Sequence, residues 1–83
     1  MSDYRIVYTV PAREDLDRLP QRQSAQIVRK IGRLRHGLHG DIKRLQSHDC
    51  AYRLRMGNYR VLFDVEKDAI VVQRIKDRKD AYD

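Results

Sequence analysis

Apolar residues recur along this chain with two different periods. Across residues 4–10 they alternate with polar or mixed residues, and β-formers dominate (Tyr4, Ile6, Tyr8, Val10). A period of two puts one set of side chains on a single face, so this stretch reads as a strand. Pro11 follows, and proline suits the first turn of a helix because its missing N–H would find no partner there. Residues 12–19 then read as a short helix that turns Leu16 and Leu19 inward, and Pro20 separates it from the next element. The clearest helical period lies in residues 21–35. Ile27, Ile31 and Leu34 fall at i, i+4 and i+7, joined by Ala25 and Val28. The rest of that surface carries Arg22, Gln23, Arg29, Lys30 and Arg33, which reads as an ordinary solvated face. Gly37 and Gly40 end the helix.

Residues 41–51 form a polar connection with Leu45 as its one anchor. Three strand candidates follow. Residues 52–56 and 59–66 flank Gly57-Asn58, a two-residue hairpin signal. Lys67-Asp68 makes a second tight turn into residues 69–75, where Ile70, Val71 and Val72 form a more continuous apolar run. The expected order is β-α-α-β-β-β. Two helices then pack on one face of a mainly antiparallel twisted sheet, an α+β sandwich in one domain spanning residues 1–83.

The turn fixes a register for the hairpin. With Gly57-Asn58 as the loop, Met56 pairs with Tyr59, Arg55 with Arg60, Leu54 with Val61, Arg53 with Leu62 and Tyr52 with Phe63. Alternation then gathers Tyr52, Leu54, Met56, Tyr59, Val61, Phe63 and Val65 on the face that covers the helices. Arg53, Arg55 and Arg60 share the other face. Like charges at facing positions destabilise a sheet. An anion bridging Arg55 and Arg60 would relieve the repulsion, and guanidinium is the group best shaped for bidentate phosphate contact. The alternatives are that both stems splay into water, or that Asp64 or Glu66 neutralises them. Beyond the last strand, Arg78 stands among Lys76 and Lys79, with Tyr82 after them. If that strand pairs beside the hairpin, the tail reaches the same open face, and Tyr82 either stacks on a base or anchors the tail.

Charge sharpens this reading. The 83 residues carry 18 Lys and Arg against 12 Asp and Glu, a net charge of +6, which favours nucleic acid or an acidic protein as partner. A chain this short has a small core and no room for a second, regulatory domain. Cys50 is the only cysteine, so no internal disulfide can form, as suits a reducing cytoplasm. His36, His39 and His48 show no metal-ligand spacing. No apolar run opens the chain, so neither a secretory leader nor a membrane span is expected.

With these residues in view, the chain resembles the RelE/ParE family of type II toxins. The segment from Tyr52 to Phe63 is similar to the family's arginine-rich hairpin. Ala12 with Leu16-Asp17-Arg18-Leu19-Pro20 resembles its first helix, and Lys43-Arg44-Leu45 the segment before the hairpin. Arg74-Ile75-Lys76-Asp77-Arg78-Lys79-Asp80-Ala81-Tyr82 resembles its C-terminal run.

The resemblance implies one of two activities. RelE-like members cut mRNA on the ribosome by attack of a ribose 2′-OH on the adjacent phosphate, without metal or other cofactor. ParE-like members poison DNA gyrase and are not enzymes. Both imply a cognate acidic antitoxin, through which the pair meets operator DNA. For the RNA-cleaving branch the resemblance implies that Arg60 stabilises the phosphorane. Arg78 would aid the leaving group, Tyr82 would orient a base, and Arg53 and Arg55 would bind phosphate. Lys43, Arg44 and Lys76 would add to the nucleic-acid-binding surface. Some RelE enzymes carry Lys where this chain has Arg53 and Arg55. Lysine can give up its proton and arginine cannot, so the general base stays open, with Glu66 and His48 as candidates.

Overall fold

The computed structural model describes residues 3–46 and 50–77. Its elements run β1 (Arg5–Tyr8), α1 (Val10–Arg18), α2 (Gln21–Gly32), a 3-10 turn (Arg33–His36), β2 (Ile42–Arg44), β3 (Tyr52–Met56), β4 (Tyr59–Glu66) and β5 (Ala69–Asp77). The strands form one sheet in the order β1-β5-β4-β3-β2. Only the β1–β5 pair is parallel. The connection between those two strands runs through the helices, the route a parallel pair requires.

Thr9 marks where strand gives way to helix. Its Oγ1 accepts from the Ala12 N–H at 3.2 Å and donates to the Gln73 carbonyl at 3.0 Å, so one hydroxyl caps α1 and ties it to β5. In α2, Ile27 and Ile31 turn into the core and Leu34 follows from the 3-10 turn. They meet Leu54, Val61 and Phe63 from the hairpin and Ile70, Val72 and Ile75 from β5.

The hairpin register is the one the turn predicts, from Met56↔Tyr59 through to Tyr52↔Phe63. Gly57 supplies the positive φ of +56° that a two-residue loop needs at its first position.

Four features differ from the sequence reading. Residues 42–44 are a short edge strand rather than part of a loop. Ile42 packs against the core while Lys43 and Arg44 stay exposed, so a three-residue pattern carried no period to detect. Ala25 and Val28 are exposed and not core-facing, because the buried stripe of α2 is only as wide as Ile27 and Ile31. The α-helix stops at Gly32 and tightens into the 3-10 turn. Finally, β5 runs on to Asp77 and is irregular. Leu62 pairs with Arg74 but Phe63 pairs with Val72, leaving Gln73 as a bulge.

Candidate functional site

The sheet keeps one face under the helices. Leu54, Val61 and Ile75 lie in the core on that face, so their neighbours along each strand point the other way. Two adjacent rows result on the open face. One runs Arg55–Arg60–Lys76 and the other Lys43–Arg53–Leu62–Arg74 across the paired strands. The β5 bulge builds the end of both rows. Strict alternation from Ile70 and Val72 would send Arg74 and Lys76 into the core. The extra residue Gln73 flips them to the open face and returns Ile75 to the core.

Arg60 is 3% exposed and Arg53 is 7% exposed. Cations with so little water around them hold an anion more tightly than exposed ones do. Arg55 is exposed, with Asp41 Oδ2 at 3.9 Å from its Nη1, and its backbone N–H donates to the Asp41 carbonyl at 2.9 Å. Asp41 is a site feature that sequence reasoning missed, since nothing local ties it to Arg55, fourteen residues further on. The acids expected as neutralisers are used elsewhere or lie far off. Asp64 Oδ1 accepts from the Ala51 N–H at 2.7 Å and Oδ2 from Gln73 Nε2 at 3.1 Å. Glu66 is six residues along β4 from Arg60, about 20 Å at the rise of a strand.

The remaining predicted residues divide. Lys43 is exposed and opposite Arg53 on the open face. Arg44 pairs with Tyr52 and therefore lies on the helix side, its guanidinium carbon 6.0 Å from the Tyr52 ring centroid. Tyr52 in turn stacks on Phe63, with centroids 5.4 Å apart. Arg78, Tyr82 and His48 lie outside the described residues. Among the described residues, no group of three or more His, Cys, Asp or Glu side chains converges as metal ligands, and no helix is long and apolar enough to cross a membrane.

Arg74 has a structural engagement. Its Nε and Nη2 donate to Asp15 at 2.8 and 3.1 Å, and the Ile75 N–H donates to the same carboxylate at 2.9 Å. Asp15 thereby caps the edge of β5 beyond the end of β1. Burial pushes the Asp15 carboxyl up. The Arg74 and Ile75 hydrogen bonds, with the charges of Arg74 and Arg18, more than offset this and leave it below its ordinary value.

The family model described as the ParE toxin of the type II toxin–antitoxin system parDE matches residues 6–82. Toxin RelE3 of Methanocaldococcus jannaschii is 42% identical over 43 residues, which is 52% of this chain and 49% of the relative. The chain thus spans about half the length of the curated relative it matches. Among solved structures, the toxin–antitoxin complex RelBE2 from Mycobacterium tuberculosis superposes with a TM-score of 0.80 at 30% identity, covering 96% of this chain and 97% of that one. The RelB–RelE antitoxin–toxin complex from Methanococcus jannaschii gives 0.72 at 27% identity, covering 88% and 91%. The archaeal RelE–RelB complex from Pyrococcus horikoshii gives 0.78 at 23% identity, covering 95% and 99%, a likeness of fold. A match along nearly the whole sequence, on the fold derived above, means that the chain belongs to the RelE/ParE family of type II toxins.

Proposed function

We propose that this toxin is an endoribonuclease that cuts mRNA on the ribosome by attack of the mRNA's own ribose 2′-OH on the adjacent phosphate, with no metal. The observation that carries the reading is the row Arg55–Arg60–Lys76, three cations side by side on the sheet face away from the helices. In such a reaction the 2′-oxygen forms a bond to phosphorus and the bond to the 5′-oxygen breaks. The products are a 2′,3′-cyclic phosphate and a free 5′-hydroxyl. Charge builds on the non-bridging oxygens, so fixed cations there lower the barrier. Arg60, enclosed at the centre of the row, takes that role, with Arg55 and Arg53 binding phosphate. Arg78 hydrogen-bonds the departing 5′-oxygen and offsets its negative charge while that oxygen takes its proton from water, and Tyr82 holds a base.

The proton acceptor has to be a group other than arginine. Asp41, beside Arg55, is better placed for it than the distant Glu66. A carboxylate there also keeps Arg55 oriented while the site is empty.

The partner we assign is a cognate antitoxin. Two observations support it: the solved relatives are toxin–antitoxin complexes, and a net charge of +6 suits an acidic chain. Leu16, Ala25 and Val28 line a shallow apolar groove along α1 and α2, which fits apolar anchors of such a chain. Operator DNA would then be met through the antitoxin.

A second reading, inhibition of DNA gyrase, is favoured by the matched family model, whose description is that of a ParE toxin. It gives the cationic row no definite task. Purified ribosomes programmed with a defined mRNA separate the two. Cleavage by the wild type and none by Arg60→Ala supports the first reading, whereas intact mRNA with both proteins, together with inhibited supercoiling by gyrase, supports the second.

A further inference from the structure

A second basic surface lies on the helix side of the sheet. A groove of about 480 Å³ runs between α2 and the tip of the β3–β4 hairpin. Arg29, Lys30 and Arg33 line one wall with Gln26, and Asn58 and Tyr59 line the other. These cations belong to the face of α2 that the sequence suggested was merely solvated.

Three observations set the groove apart. Its lining contains no Asp or Glu. Among the described residues no carboxylate pairs with Arg29, Lys30 or Arg33, whereas Arg5, Arg18, Arg55 and Arg74 each have one. Arg29 in the last turn of α2 and Arg33 at the start of the 3-10 turn also lie four residues apart, which brings like charges close together at the helix end. Their position near the helix C-terminus offsets part of that repulsion, but it does not account for the amides and the aromatic ring that face them.

The groove is continuous with the arginine face. Met56 and Tyr59 line it, and Arg55 and Arg60 are their neighbours in sequence on the opposite side of the sheet. Only the Gly57-Asn58 turn separates the two surfaces. A strand passing round that turn meets the Arg55–Arg60–Lys76 row on one side and the α2 cations on the other.

We propose that this groove binds the phosphate backbone of the RNA that the arginine face acts on, at nucleotides flanking the cut, a reading that rests on the proposed nuclease function. Guanidinium, ammonium and amide donors suit phosphate and sugar oxygens, and the Tyr59 ring offers a stacking surface for a base. An acidic peptide fits less well. Helix-in-groove binding needs an apolar floor for successive anchors, and here Ile27 and Met56 alone supply it, with Ile27 only 2% exposed.

The test is the salt dependence of binding to a short single-stranded RNA bearing 2′-O-methyl riboses, which cannot be cut, followed by fluorescence anisotropy. Wild type is compared with Arg29→Gln/Lys30→Gln/Arg33→Gln. All three side chains are exposed, and glutamine keeps helix propensity. Loss of three phosphate contacts lowers the slope of log K against log salt by about 2 and weakens binding roughly tenfold or more. Should the triple variant fail to fold, the three single variants serve, each expected to lower the slope by about 0.7. Unchanged slopes and affinities overturn the proposal. So does a variant that keeps RNA but loses oligoglutamate, since the groove would then be a peptide dock. Because the probe is uncleavable, a slope difference in a protein that never cuts RNA would keep the groove and discard the nuclease.

Discussion

Arg55 and Arg60 face each other across β3 and β4, and Lys76 stands on the far side of Arg60. Like charges in facing positions cost up to about 1 kcal/mol, and the exposed Arg55, whose carboxylate partner Asp41 stands 3.9 Å away, adds little stability in return. Replacing the exposed member should therefore separate stability from function. Arg55→Gln is expected to leave the melting midpoint unchanged or raise it while slowing RNA cleavage. A large fall in melting temperature would instead make Arg55 a structural residue. Asp15 is the opposite case. Its carboxylate takes the Ile75 N–H and the Arg74 fork at the edge of β5, and its folded-state value is depressed. A depressed carboxylate stabilises the fold above its ordinary value, and that contribution is lost as pH falls through the folded value, hence below about pH 4. Asp15→Asn should cost about 1–3 kcal/mol at neutral pH and show a flatter decline of melting temperature in acid than wild type. Parallel acid-side curves would refute the assignment. The arginine pair was legible in the sequence because a two-residue turn plus alternation fixes every partner. Asp15 was not, because its partner is 59 residues away and it lies among Glu14 and Asp17 as one more acid of a solvated helix.

At the level of elements, the hairpin is where local chemistry and global fold agree. Gly57 adopts φ +56°, and a Cβ there would meet nothing within 4 Å. Gly57→Ala should thus cost only the conformational strain of a left-handed residue, about 1–2 kcal/mol, measurable by denaturant unfolding. A loss well beyond that would point to a packing role for the tip. The bulge at Gln73 is the element-scale device that completes the site, since it turns Arg74 and Lys76 onto the arginine face. Its trace in the sequence is the spacing of core residues at Ile70, Val72 and Ile75, two apart and then three. The continuous apolar run Ile70-Val71-Val72 hides that change of spacing, because it reads equally well as an unbroken buried strand. The edge strand β2 left less trace. It is three residues long with two charged side chains, the usual dress of an edge that must not pair further. On α2, Ala25 and Val28 are apolar but stand outside the narrow angle that Ile27 and Ile31 turn to the core; both face outward beside Leu16.

Over the whole molecule, charge is distributed by surface. Cations concentrate on the open face, where Arg55 meets Asp41 and Arg74 meets Asp15, and in the α2 groove, whose lining holds no carboxylate. The fold was legible because the helices and every strand but β2 carry their own period, and the match to family structures agrees with it. The target was less legible, since RNA-cutting and gyrase-binding members share the fold and fold does not carry function. The central claim is that the Arg55–Arg60–Lys76 row performs chemistry on RNA. The most direct test is to induce the protein from a tightly controlled promoter and follow incorporation of labelled methionine and labelled thymidine, with Arg60→Ala beside it. Removing a group that stabilises a developing oxyanion lowers the rate by about a hundredfold to a thousandfold. Protein synthesis should therefore stop first with wild type and continue with the variant. Thymidine incorporation stopping first while translation continues would contradict the account and make gyrase the target.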